Sequence, residues 1–147
     1  MKFIRTATAA ALAVAALFGS FVTASAAPAA ETAANCVDNS DPSSFTGVST
    51  KKTFTLPIAQ RVLELRYSST NACAWARFTA GGSYYLWVDR AANISQANAG
   101  IWTQLGITPM FPHTVAYTRA FNDSGKVMRA CAEVHEIVRT VVCTDWY

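Results

Sequence analysis

The chain has 147 residues, with 12 Lys and Arg against 9 Asp and Glu, which gives a formal net charge of +3. This length accommodates one domain with a sizeable core and does not favour two. So small a charge excess argues against a nucleic-acid partner, because domains that bind nucleic acids carry strongly basic surfaces.

The N-terminal segment has the three parts of a secretory signal peptide. Lys2 and Arg5 form a basic region, residues 9–18 are apolar and Ala-rich, and residues 24–26 (Ala-Ser-Ala) suit signal peptidase. We predict cleavage after Ala26, which leaves 121 residues with a net charge of +1 because Lys2 and Arg5 are removed. The alternative is an uncleaved anchor, but the apolar stretch is shorter than the ~20 residues that a membrane span needs. The predicted location is extracellular, without a membrane contact after cleavage.

A small-residue stretch follows the cleavage site. Residues 27–35 are predicted to form a flexible leader, and a single β domain is predicted over residues 36–147. Its first segment, residues 37–52, is rich in Ser, Asp, Thr and Gly and contains Asp41-Pro42, a composition typical of turns.

The strongest β signal runs over residues 61–79, RVLELRYSSTNACAWARFT. Alternation predicts strands over residues 61–68 and 72–79, joined by a turn at residues 69–71. The apolar face, assigned to the core, carries Leu63, Leu65, Tyr67, Ala74, Ala76 and Phe78. The opposite face carries Glu64, Arg66, Trp75 and Arg77. We expect this hairpin to organise the domain.

Further strands are predicted over residues 53–56, 84–89, 114–121, 126–134 and 138–146, with turns at Gly81-Gly82 and at residues 122–125. On the strand over 114–121, Val115, Tyr117 and Phe121 are expected to share one face. Residues 90–113 are interpreted as a long loop with a short edge strand near residues 101–105. The pattern as a whole predicts an all-β fold, an antiparallel sandwich or small barrel of about six to eight short strands. The alternative is an α+β domain with a helix over residues 94–105.

Four cysteines, Cys36, Cys73, Cys131 and Cys143, lie after the predicted cleavage site, and an even count in a small exported chain predicts two disulfides. Three pairings are possible. If Cys131 and Cys143 face each other on antiparallel strands, the connection centres on residue 137, where a turn is expected. Cys131–Cys143 is therefore favoured, which leaves Cys36–Cys73. A zinc site is disfavoured because no CxxC pair exists, and we predict neither a metal nor a cofactor.

The charged face of the hairpin is the candidate ligand site, composed of Glu64, Arg66, Trp75 and Arg77. Glu64 is within reach of either arginine across the strands, and the Trp75 ring could stack beneath a guanidinium. Arginine would recognise a carboxylate or phosphate, and the ring a flat ligand surface. A structural cluster of ion pairs is the favoured interpretation of the same residues, and recognition the alternative.

Other residues give weaker indications of chemistry. No GxSxG motif accompanies His113 or His135, and His135 beside Glu133 and Glu136 lacks the HExxH spacing of a metal site. Carboxylates for glycoside hydrolysis would come from Glu64, Asp89, Glu133, Glu136 or Asp145. The aromatic residues are assigned to the core rather than to a sugar platform: Tyr84, Tyr85, Trp87, Trp102, Trp146 and Tyr147.

Three segments resemble motifs of a protein family. Residues 64–68 (ELRYS), Cys73 and residues 75–77 (WAR) are similar to the hallmark of the YjfA-like small secreted bacterial proteins, a domain of unknown function numbered 2690. Cys36 with Asp41-Pro42, and the ending CTDWY, resemble the family's opening and closing segments. The resemblance implies a secreted, all-β bacterial protein without an established activity, and it supplies no catalytic residues.

The leading functional hypothesis is a non-catalytic binding or interaction domain for an extracellular or cell-wall ligand. A small secreted hydrolase acting on cell-wall or extracellular polymers is the alternative from another class. A protease-inhibitor-like protein that presents residues 90–113 is a third possibility.

Overall fold

A computed structural model describes residues 36–57, 61–79, 83–111, 113–135 and 137–147. The predicted signal peptide, leader and Gly81-Gly82 turn lie outside the described residues. Within the described ranges, no helix is both long and apolar enough to span a membrane.

The described ranges contain nine strands, a 3-10 helix and a short α-helix. The 3-10 helix Pro42–Ser44 precedes β1 Val48–Thr55, β2 Val62–Ser68, β3 Cys73–Thr79 and β4 Ser83–Ala91. Helix α1 Ile94–Asn98 follows, then β5 Thr103–Pro109, β6 Val115–Tyr117, β7 Phe121–Asn122, β8 Val127–His135 and β9 Arg139–Cys143.

The strands form two antiparallel sheets. The first has the order β1-β2-β3-β6, with β7 also paired to β3, and the second has the order β5-β4-β8-β9. The largest buried cluster takes side chains from both sheets, among them Leu65 and Phe78 from the first and Leu86, Val88 and Met128 from the second. The predicted all-β fold is confirmed as a two-sheet sandwich, with very short β6 and β7 adding to the expected strand count.

The central hairpin follows the predicted pattern. Leu63 pairs with Phe78 and Leu65 with Ala76, and all four side chains are buried in the core. The turn places Ala72 at a φ of 52°, and the Ser68 hydroxyl donates to the Thr46 carbonyl. The register therefore turns the predicted core positions toward the second sheet, as period-2 alternation requires.

Residues 90–113 differ from the predicted loop. They contain α1, whose N-cap Asn93 accepts a hydrogen bond from the Gln96 amide, and the seven-residue strand β5. The strand expected near residues 101–105 corresponds to β5, which begins later, at Thr103, and is longer. Since β5 is an edge strand, a proline at its end, Pro109, is tolerated.

The predicted strand over residues 114–121 is interrupted. β6 ends at Tyr117, and the next residue, buried Thr118, accepts a hydrogen bond from the Ala76 amide through its hydroxyl. Val115 and Tyr117 are exposed, whereas Phe121 is buried. The prediction that these three side chains share a face is wrong, because the chain leaves the regular strand at Thr118.

The structure contains two disulfides, and both pairs are those favoured by the sequence. Cys131 and Cys143 are directly opposite on β8 and β9, with 4.1 Å between their Cα atoms. Cys36 bonds to Cys73 on β3 and fixes the start of the described chain to the first sheet.

Candidate functional site

The predicted ligand patch on the first sheet is a closed network of ion pairs. Glu64 accepts hydrogen bonds from Arg77 Nη1 at 2.5 Å and from Thr50 Oγ1 at 2.9 Å. Arg66 Nη1 lies 3.4 Å from Glu64 and donates to Thr50 Oγ1 at 2.8 Å. The Glu64 side chain is only 13% exposed. Both arginines are thus engaged with a carboxylate of the same chain, which favours the structural interpretation.

Trp75 lies apart from this network. It is 5% exposed and belongs to a second buried cluster with Cys36, Cys73 and Ala120. Its ring meets Phe45 edge-on, with 5.8 Å between the ring centroids. The segment held by the Cys36–Cys73 bridge covers this part of the sheet, so the Trp75 ring offers no surface to a ligand. The expected stacking platform at Trp75 is corrected accordingly.

The outer face of the second sheet carries a different set of groups, which we call the aromatic face: Tyr85, Trp87, Asp89, Trp102, Gln104, Arg129, Glu133 and Trp146. On β4, Leu86 and Val88 enter the core, so Tyr85, Trp87 and Asp89 point outward. The same alternation on β8 places Arg129 and Glu133 outward beside them.

Asp89 is the polar centre of the aromatic face. It is 3% exposed, accepts from Trp87 Nε1 at 3.0 Å and from Arg129 Nε at 2.9 Å, and is paired with Arg129 Nη2. Burial raises the pKa of Asp89 above its ordinary value, opposed by the hydrogen bonds and positive charge of Arg129. A buried carboxylate with these partners is satisfied, and it fixes the guanidinium in one orientation.

Two indole rings cover Arg129. Its Cζ lies 4.6 Å from the Trp102 ring centroid and 4.5 Å from the Trp146 centroid, and the two centroids are 5.9 Å apart. Each contact is within cation–π distance. Trp102 nevertheless remains 41% exposed. The result is an exposed indole whose position is set by a buried ion pair beneath it.

Two clefts lie along β4 and β5, and Trp102 lines the first of them. One has a volume of about 320 Å3 and is lined by Arg90, Ala91, Ala92, Gln96, Ile101, Trp102, Thr103 and Lys126. The other has a volume of about 300 Å3 and is lined by Tyr85, Trp87, Gln104, Ile107 and Glu133. Aromatic walls with a few polar groups are typical of ligand sites.

The assignment of the aromatic residues to the core is wrong for part of the set. Trp87 is buried, but Tyr85, Trp102 and Tyr147 are each more than 40% exposed. Alternation on 84–89 already separates Tyr85, Trp87 and Asp89 from Leu86 and Val88, which is the signal that could have revealed this face. No comparable sequence pattern indicated that Trp102 and Trp146 belong to the aromatic face.

The remaining predicted groups do not assemble a reactive centre. Glu133 is bonded by Arg139 through two nitrogens, His113 and His135 are exposed, and Glu136 lies outside the described residues. Among the residues that the structure describes, Asp89, Cys131 and Cys143 form the one cluster with metal-ligand spacing. Both sulfurs are joined in a disulfide, so they are not thiolate ligands.

Comparison with protein-family models, curated proteins and solved structures finds no match to this chain. The YjfA-like resemblance therefore stays a prediction.

Proposed function

We propose that this protein is an exported, non-catalytic binding domain that holds an extended extracellular polysaccharide on its aromatic face. The observation that carries the proposal is the exposed Trp102 ring, which is fixed through Arg129 and buried Asp89 and lines one of the two clefts. Exposing the apolar area of a large indole to water is unfavourable. An indole that is held in one position outside the core is therefore typical of a contact surface.

The shape of the face supports a polymer rather than a single small molecule. Strand β5 extends from Thr103 to Pro109; it contributes Thr103 to the cleft that Trp102 lines, and Gln104 and Ile107 to the other cleft. At about 3.3 Å per residue this edge is roughly 20 Å long. Ring surfaces accept the apolar faces of sugars, while Gln96, Thr103 and Gln104 offer hydrogen bonds to hydroxyl groups.

The partners of the carboxylates support binding over hydrolysis. A general acid or base must reach the proton that it transfers. Asp89 is enclosed by Trp87 and Arg129, Glu133 is held by Arg139, and Glu64 lies on the first sheet in its own network. None of these three carboxylates is presented toward either cleft as an unbonded group. The inhibitor hypothesis loses its basis, since residues 90–113 form α1 and β5 rather than a presented loop.

Export is supported by two structural disulfides, which persist in oxidising compartments. It also agrees with the predicted signal peptide.

The test is a binding assay with the purified protein on a panel of cell-wall preparations, chitin, cellulose and xylan. We expect Trp102→Ala to reduce retention on the bound polymer at least tenfold. Tyr117→Ala is the matched control, because Tyr117 is an equally exposed aromatic residue on the first sheet. Thermal melting of each variant confirms that it is folded. Absence of binding to every polymer, or equal loss in both variants, would overturn the proposal.

A further inference from the structure

We infer that the polysaccharide is anionic, and that its acidic groups bind in the cleft beside Trp102 that contains Arg90 and Lys126. This inference rests on the proposed function and names the chemical class of its ligand. We call this cleft the basic cleft.

The lining of the basic cleft contains two cations and no Asp or Glu. Ala91 and Ala92 also line it, and their small side chains occupy little of its space. Gln96 and Thr103 add hydrogen-bonding groups to the lining. A site with this composition matches a hydroxylated ligand that carries negative charge.

The two cations differ in whether an acidic side chain offsets their charge. Arg90 donates to both oxygens of Asp38, at 2.8 and 2.9 Å, and to the Asn122 carbonyl at 3.2 Å. These bonds fix the guanidinium and offset its charge. Lys126 is exposed and forms no ion pair with the described part of the chain, so the ammonium group supplies the uncompensated charge of the cleft.

The second cleft provides an internal contrast. It is lined by Glu133 and by no cation, and the Arg139 that bonds Glu133 lies outside its lining. Trp102 borders only the basic cleft of the two. An acidic group of the polymer is therefore directed to the basic cleft, and uncharged sugar units to the second cleft.

The test uses pairs of soluble polymers that share a sugar backbone and differ in whether the substituents carry negative charge. Isothermal titration compares hydroxyethyl cellulose with carboxymethyl cellulose, and dextran with dextran phosphate, which separates carboxylate from phosphate as the acidic group. Poly-glutamate tests whether an anionic polypeptide binds instead. The proteins are the wild type, Lys126→Gln, and Lys52→Gln on β1 as a control with the same change in net charge.

We expect the charged member of at least one pair to bind more tightly, and added salt to weaken it. Lys126→Gln should reduce that affinity about threefold to fivefold, as for one exposed ionic contact, and Lys52→Gln should leave it unchanged. Equal affinity within each pair would overturn this inference while the proposed function stands. A preference for poly-glutamate, or an equal effect of both lysine variants, would also overturn it. Absence of binding to all the sugar polymers would contradict the proposed function itself.

Discussion

Glu64 is a single carboxylate that holds three neighbouring side chains of the first sheet. Burial alone would raise the pKa of Glu64, but hydrogen bonds from Arg77 and Thr50 and the charges of both arginines hold it below its usual value. A carboxylate with a depressed pKa stabilises the fold above its unfolded pKa, and this contribution is lost as the pH falls through the folded pKa.

We therefore predict that Glu64→Gln lowers the free energy of unfolding by about 1–2 kcal/mol at pH 7. This difference in the free energy of unfolding should shrink as the pH falls below 4.5, the ordinary pKa of a glutamate side chain. Urea unfolding of the wild type and of Glu64→Gln at several pH values measures this difference. Glu133→Gln is the control, since its partner Arg139 is 67% exposed and the pair should contribute little. Equal losses in the two variants would contradict the network described for Glu64.

Asp123 is a second carboxyl with an altered titration. It lies in the turn before β8, where its amide donates to the Ala72 carbonyl and its own carbonyl accepts from the Lys126 amide. Its Oδ1 is buried and has no hydrogen-bond donor in the described ranges. Burial raises the pKa of Asp123 to about 7, although Lys51 and Arg90 act in the opposite direction.

This raised pKa predicts a fold that loses stability as the pH rises. The folded chain retains the Asp123 proton up to about pH 7, whereas the unfolded chain releases it near the ordinary value of 3.8. Stability should therefore decrease between these two values and level off above them. Asp123→Asn keeps the shape and removes the charge. The substitution should raise the free energy of unfolding by about 1–2 kcal/mol at pH 8, after allowance for solvent screening. At pH 4 it should leave the free energy of unfolding unchanged. Thermal unfolding at both pH values, with exposed Asp145→Asn as the control, provides the measurement.

At the scale of elements, β5 is positioned by an irregularity at Gly106. The pairing of β4 with β5 shifts register between Leu86 and Val88, and Gly106 has a φ of 65°. A Cβ at Gly106 would lie 2.6 Å from Cε2 of buried Phe121. Glycine at this point allows β5 to lie close to the core while Gln104 and Ile107 reach the second cleft.

We predict that Gly106→Ala lowers the free energy of unfolding by about 2–3 kcal/mol, because backbone strain and overlap with Phe121 add. Gly125 has the same φ of 65°, but a Cβ there meets nothing within 4 Å. Gly125→Ala should therefore cost about 1 kcal/mol, which isolates the backbone term. Urea unfolding of both variants checks the difference. Equal costs would contradict the close contact between β5 and Phe121.

The elements also show which features the sequence could predict. The hairpin was predictable because Leu63, Leu65 and Phe78 alternate with charged residues, and two facing cysteines indicated the register of β8 and β9. The Trp102–Arg129–Trp146 stack was not, because its members come from segments whose relative positions depend on the register of the whole sheet. The burial of Trp75 was missed for a similar reason. The segment that covers it, which includes Cys36 and Phe45, is distant from Trp75 in the sequence.

At the scale of the whole molecule, the two disulfides close loops of different length. Cys36 and Cys73 are 37 residues apart, and Cys131 and Cys143 are 12 apart. The loss of unfolded-chain entropy predicts contributions of about 3.8 and about 2.8 kcal/mol. Replacing the first pair by alanines should thus destabilise the fold by about 1 kcal/mol more than replacing the second. Urea unfolding of the two double variants gives the order, and a reversed order would contradict it.

The two bridges and the predicted signal peptide lead to one prediction about export. Disulfides persist in oxidising compartments, and a functional signal peptide would bring the chain to such a compartment. Expressed from its full sequence in a bacterial host, the protein recovered outside the cytoplasm should begin at Ala27. Its intact mass should be four hydrogens lower than that of the reduced chain, since each bridge removes two. Ala24→Phe with Ala26→Phe should block cleavage and retain the N-terminal segment, whereas Ala30→Phe should not. A secreted product that keeps residues 1–26, or that contains an alkylatable thiol, would contradict this account.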